Sequence, residues 1–155
     1  MKLIQETRSI LITCPPGKVF NYITDLGNDS AWRAEINAST LLSNHLGLNC
    51  MVEEDAFLSR RVPSHINRLI CTQFIKDKRV AYETVRGDLF FLHNCREVKE
   101  ISPQQTLVSY HLRFNPEIVR YALGFNLPGV IIRCVTHLSM RKYLKKLKQL
   151  LEHGH

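Results

Sequence analysis

Apolar positions along the chain change period twice. Residues 3–13 carry Leu3, Ile4, Ile10, Leu11 and Ile12 in partial alternation with polar residues, and their β-branched content predicts a first strand. Pro15 and Pro16 stop it. Proline suits the first turn of a helix, so a helix is predicted from Pro16. Over 19–26, Val19, Ile23 and Leu26 share one helical face with Phe20 beside them, and Gly27 and Asn28 follow as terminators. A second short helix is predicted over 31–36, including Trp32.

From residue 37 the period becomes two. Strands are predicted over 37–43, 49–59, 64–75, 79–87, 89–100 and 105–114, with turn residues between them. Val108, Tyr110, Leu112 and Phe114 alternate with Ser109, His111 and Arg113, as in a sheet that is wet on one face. Cys50, Val52, Ala56 and Leu58 form a similar set.

The last forty residues return to helical spacing. A short helix is predicted over 116–125, a break over 126–129 and a longer helix from Val130. That helix places Cys134, His137, Met140, Leu144, Leu147 and Leu151 on one stripe, with basic residues on much of the remainder. Such a helix needs a partner surface. The whole of 1–155 reads as one domain, with the last few residues a tail to which no function is given.

Composition narrows the function classes. An apolar fraction of 45% with 23% charged residues is that of a globular chain and argues against disorder. The formal charge of +7 suits nucleic acid, anionic lipid or an acidic ligand, and suits equally a basic protein with no anionic partner. The cysteines Cys14, Cys50, Cys71, Cys95 and Cys134 are odd in number and lack a CxxC pair. That spacing argues against a disulfide framework or structural zinc and points to reduced thiols in a cytoplasm. Glu6 and Arg8 interrupt the opening apolar run, so no signal peptide is expected. No apolar stretch approaches the ~20 residues that span a bilayer.

The element order is strand, two short helices, six strands and a long amphipathic helix. Within it, Cys14-Pro15-Pro16-Gly17-Lys18-Val19-Phe20 resembles the strand-to-helix junction of the START-like, Bet v 1-like superfamily. Tyr22-Ile23-Thr24-Asp25-Leu26 followed by Trp32 is similar to its helix ending in Asp and then a Trp. Leu46-Gly47, the segment Leu92-His93-Asn94 through Val98, and Val108 to Phe114 with Pro116 resemble its later turns and hairpin. The match looks best within the polyketide cyclase/dehydrase and coenzyme Q-binding branch. One hairpin position that is often aromatic in the quinone-binding proteins is Arg96 here. The resemblance implies an α+β helix-grip fold, in which a curved antiparallel sheet of about seven strands wraps the last helix around a ligand cavity. It also implies an apolar ligand.

The candidate ligand-binding residues are Trp32, Glu54, Tyr82, Phe90, Asn94, Arg96, Tyr110, Leu112 and His137. Glu54 falls on the apolar face of its strand, either as an inward acid or base or as a wet rim position. Asn94 and Arg96 share a face with Phe90, Leu92 and Val98. There Arg96 either binds a ligand oxygen, pairs with Glu54 or lines the mouth. Tyr82 and Tyr110 either present hydroxyls to a ligand or pack as core aromatics. Trp32 either caps the cavity or packs beneath it. His137, on the inner stripe, either transfers protons or is structural. His93 and Cys95 lack further neighbours to complete a metal site, and no catalytic motif, metal or cofactor is expected.

Three functions fit these residues. The favoured one is a carrier or sequestering protein for a lipid, polyprenyl quinone or polyketide-like molecule. The second is a polyketide cyclase or dehydratase that moves protons through Glu54, Arg96 or a tyrosine. The third is a ribosome- or RNA-interacting module. The basic run 141–148 gives the chain a means of touching an anionic membrane or RNA.

Overall fold

The computed structural model describes residues 2–154. Strand β1 (Ile4–Ile12) leads into helix α1 (Pro16–Thr24) and a short 3-10 helix (Leu26–Ala31). Six strands follow: β2 (Ile36–Leu41), β3 (Met51–Ala56), β4 (His65–Ile75), β5 (Arg79–Thr84), β6 (Leu92–Ser102) and β7 (Gln105–Phe114). Helix α2 (Glu117–Leu123) and the long helix α3 (Gly129–His153) complete the chain.

The strands form one antiparallel sheet in the order β1-β7-β6-β5-β4-β3-β2. Only the β1 placement requires a long-range return; every other neighbour is joined by a hairpin-like connection. Alternation fixes which face turns inward: β3 buries Val52, Glu54 and Ala56 and leaves Met51, Glu53 and Asp55 half-buried. Irregular registers between Ile36 and Ala38, Cys71 and Gln73, and Glu100 and Ser102 add local twist and let the sheet curl. α1 packs Val19, Phe20 and Ile23 into the core, where they meet Leu69, Tyr82 and Val98 from the sheet and Met140, Leu144 and Leu147 from α3. The result is the helix-grip arrangement expected from the element order.

Two expectations are corrected. The helix predicted over 31–36 lies earlier, at Leu26–Ala31. Asp25 caps it by accepting the Gly27 N–H at 2.9 Å, and Asp29 is held from above by arginines, so the chain is already extended by Ile36. The inner stripe of α3 is also different. Its buried residues are Ile132, Met140, Leu144, Leu147 and Leu151, while Cys134 is exposed and the His137 side chain is 44% accessible. Stepping back from Met140 by threes falls ~60° short of a turn each time, so His137 and then Cys134 rotate out of the contact. His137 instead faces Glu6 on β1, with 3.5 Å between Nδ1 and the carboxylate.

Candidate functional site

Under the short 3-10 helix lies a cluster of buried charges. Asp29 faces inward from that helix. Arg96, projecting from β6, donates from Nη1 to Asp29 Oδ1 at 2.8 Å and from Nη2 to Oδ2 at 2.5 Å. Its Nη1 also donates to the Ile23 carbonyl at 2.8 Å, which ties the sheet to α1. Arg33 sits on the other side of Asp29, donating to it at 3.0 Å, to Glu35 at 2.8 and 3.1 Å and to Glu54 at 3.3 Å. Asp29, Arg33, Glu54 and Arg96 are all buried. Ions this far from water are tolerated only when matched and hydrogen-bonded.

Aromatic rings complete the cluster. The Arg96 guanidinium lies 4.9 Å from the Trp32 ring centre and 5.5 Å from that of Tyr110. Trp32 and Tyr110 meet edge to face at 6.0 Å. Burial works against both guanidinium charges, but for Arg33 it is outweighed by Tyr110, Glu35, Glu54 and Asp29, and for Arg96 chiefly by Asp29. Both stay protonated. Burial raises the Glu54 carboxyl above its ordinary value, against the pull of Arg33. Three acids, Asp29, Glu35 and Glu54, thus share two guanidiniums, and Glu54 is the one with a single long contact.

Glu54 also borders open space, together with Arg33 and Glu35. A cavity of about 270 Å³ lies between the sheet, α2 and the middle of α3. Leu92, Leu112, Phe114, Ile118, Val119 and Met140 give it apolar walls, and Glu54, Asn67, Arg33, Glu35 and Tyr143 gather at its polar end. Asn67 stands opposite Glu54 in the β3–β4 register, so the two polar groups are set side by side by strand pairing. Burial, followed by the neighbouring Glu35 carboxylate, pushes the Tyr143 hydroxyl up, so it remains a neutral donor. A second space of about 250 Å³ between α2 and α3 shares Leu58, Ile118, Val119, Val135 and Thr136 with the first. Val135 is exposed, so both spaces reach the surface beside it, and the first also reaches it at exposed Phe57. A larger depression of about 490 Å³ lies beside Ile4, Pro116 and Arg133 and touches none of the buried charges. We assign the site to the 270 Å³ cleft between the sheet and α3 because it joins apolar walls to buried polar groups.

The sequence-predicted residues divide among several places. Glu54 and Leu112 line the cavity. Arg96 is buried and matched by Asp29, with Arg33 the partner of Glu54 in its stead. Trp32 and Tyr110 frame Arg96; neither the indole N–H nor the Tyr110 hydroxyl has a partner among the described residues. Asn94 is buried between Tyr82 and Leu112 of the flanking strands, and its amide atoms are likewise unpartnered. Tyr82 donates its hydroxyl to the Thr24 carbonyl at 3.1 Å, a contact that holds α1. Phe90 precedes β6, which begins at Leu92, and packs with His65 and Tyr121 instead of sharing the strand's inner face. His137 is on the outside. Asp29, Arg33, Glu35, Asn67 and Tyr143 were not predicted. The four-residue spacing of Asp29 and Arg33 around Trp32 is the one local sign of the pair.

No protein-family model and no curated protein matches the sequence. Solved structures do. A START superfamily protein from Mycobacterium smegmatis superposes with a TM-score of 0.76 at 12% identity, covering 97% of this chain and 99% of that one. The di-domain ARO/CYC BexL from the BE-7585A biosynthetic pathway aligns over 99% of this chain and 51% of its own length, with a TM-score of 0.68 and 12% identity. Ara h 8.0201 aligns over 96% and 97% of the two chains with a TM-score of 0.64 at 9% identity. The curled seven-stranded sheet, the long C-terminal helix and these superpositions together give the chain a START/Bet v 1-like fold.

Proposed function

We propose that the protein binds a hydrophobic small molecule in the cavity between the sheet and α3, as a carrier or sequestering protein. The observation that carries this reading is the cavity's polarity gradient, from apolar walls at Leu92, Leu112 and Phe114 to the polar end at Glu54 and Asn67. Apolar burial, at roughly 25 cal/mol per Å², supplies affinity, and the polar end supplies orientation. The excess of acids over guanidiniums disfavours a ligand carboxylate there. It favours a neutral hydroxyl or carbonyl, with Glu54, Asn67 or Tyr143 as hydrogen-bond partner.

A second reading, a cyclase- or dehydratase-type enzyme, draws support from the same residue. Glu54 combines a raised carboxyl pKa with access to the cavity, as a proton donor requires. The fold is also that of one half of an ARO/CYC protein. Against it, Arg33 and Arg96 are spent on carboxylates and the Tyr82 hydroxyl on a backbone carbonyl, leaving Glu54 without an obvious catalytic partner.

Native mass spectrometry of gently purified protein, followed by organic extraction, tests the proposal. A stoichiometric apolar adduct is expected, lost in Leu112→Arg. A clean apo mass that stays unchanged after incubation with long-chain alcohols, quinones, fatty acids and polyketide mimics would overturn it. Turnover of a polyketide mimic that is abolished in Glu54→Gln would favour the enzyme.

A further inference from the structure

Most of the net positive charge of this chain lies on its last two helices. Of its 21 Lys and Arg, seven fall within residues 118–151, namely Arg120, Arg133 and five between 141 and 148. That segment contains no Asp or Glu; with Glu117 and Glu152 at the ends of the two helices counted, α2 and α3 together carry +5 of the chain's +7.

The same segment carries an uncovered apolar face. Val130 is 70% exposed, Phe125 58%, Val135 56% and Leu138 56%. On α3, Val130, Cys134 and Leu138 are spaced by four, with Ile131 and Val135 alongside, so they form one continuous stripe. Continued along the helix, the stripe reaches exposed Arg141, Lys142 and Lys145. Isolated exposed apolar residues are ordinary; a contiguous stripe running into a cluster of five basic residues is not.

We propose that the face formed by the α2–α3 connection and the N-terminal half of α3 docks on an anionic lipid bilayer, with Phe125, Val130, Ile131 and Leu138 entering the interface and the basic residues contacting the headgroups. Charge complementarity selects an anionic surface, and the apolar stripe selects lipid over nucleic acid, whose backbone offers nothing for Val130 or Leu138 to bury against. The opening at Val135, between α2 and α3, lies on this face. On the reading of the cavity as a ligand site, docking brings that opening against the bilayer, so an apolar ligand passes between membrane and interior without crossing water.

Flotation of the full-length protein with phosphatidylcholine vesicles, with and without phosphatidylserine, at low and high salt, is the test. Wild type is expected to float with phosphatidylserine vesicles at low salt and to be released by salt. The double variant Val130→Asp, Leu138→Asp is expected to lose at least about tenfold in partitioning. Leu89→Asp, an equally exposed change elsewhere, is expected to keep it. Both altered sites are exposed, and circular dichroism checks that the variant is folded. No flotation by wild type, or undiminished flotation by the double variant, overturns the proposal. So does tighter binding to a homopolymer RNA that the double variant retains. Leu112→Arg separates the two readings: it should abolish the extracted adduct and leave flotation unchanged, whereas failed flotation with an intact adduct overturns docking alone.

Discussion

Arg96 reaches across the interior to place both terminal nitrogens on Asp29, 67 residues away in the chain. The pair joins β6 to the short helix that precedes β2, and the Arg96 contact to Ile23 extends the link to α1. It therefore holds in place the segment that carries Trp32 and Arg33, and through Arg33 the polar end of the cavity.

Removing one partner leaves an uncompensated ion in a dry site. Arg96→Met is expected to destabilise the fold by about 3–5 kcal/mol in chemical denaturation. Asp29→Asn combined with Arg96→Met should cost less than the two single changes together, since the second removes a charge that the first has orphaned. Strict additivity would show that the pair does not act as a unit.

Glu54 makes stability depend on pH in a particular direction. Burial raises its folded-state pKa above that of the unfolded chain, so between the two values the folded state holds the proton more tightly. Stability from this group is then present at low pH and is lost as pH rises through the folded pKa. Glu54→Gln should flatten that decline, so the variant gains on wild type as pH increases across the window. Parallel curves for the two proteins, from urea denaturation over a pH series, would contradict the assignment.

Tyr110→Phe removes a buried hydroxyl that has no partner among the described residues. Its effect on the stability of the ligand-free protein is expected to be within about 1 kcal/mol of zero, on either side. A similar change at Tyr82 breaks the bond to Thr24 and should cost about 1 kcal/mol. Thermal unfolding of the two variants side by side distinguishes a committed hydroxyl from a free one.

On α3, Leu144→Ala should cost about 2–5 kcal/mol, because the side chain is fully buried against the sheet. His137→Ala should stay within about 0.5 kcal/mol, as befits an exposed position paired loosely with Glu6. Equal costs would place the inner face of the helix incorrectly.

Local pattern was sufficient for much of this molecule. The alternation of Val108, Tyr110, Leu112 and Phe114 determined β7 to the residue, and the spacing of Met140, Leu144, Leu147 and Leu151 determined the buried edge of α3. Both signals are periodic and short-ranged, so the chain states them in consecutive residues. The same means put Glu54 on the apolar face of its strand and left open whether it was inward or at a wet rim; the structure buries it. What local pattern could not decide was which distant groups meet. Arg96 could have paired with Glu54 or lined the mouth; the turn at Asp25 brings Asp29 to it first, and Arg33 takes Glu54. His137 left the inner stripe because a step of three residues back from Met140 falls ~60° short of a turn, and only the sheet's position says how far around the helix the contact extends. Sequence by itself thus determined most of the elements and the buried faces of the strongly periodic ones, since those follow from spacing along one chain. Tertiary structure alone decided the charge pairing and the cavity, since burial makes an ion's partner depend on what lies nearest in space.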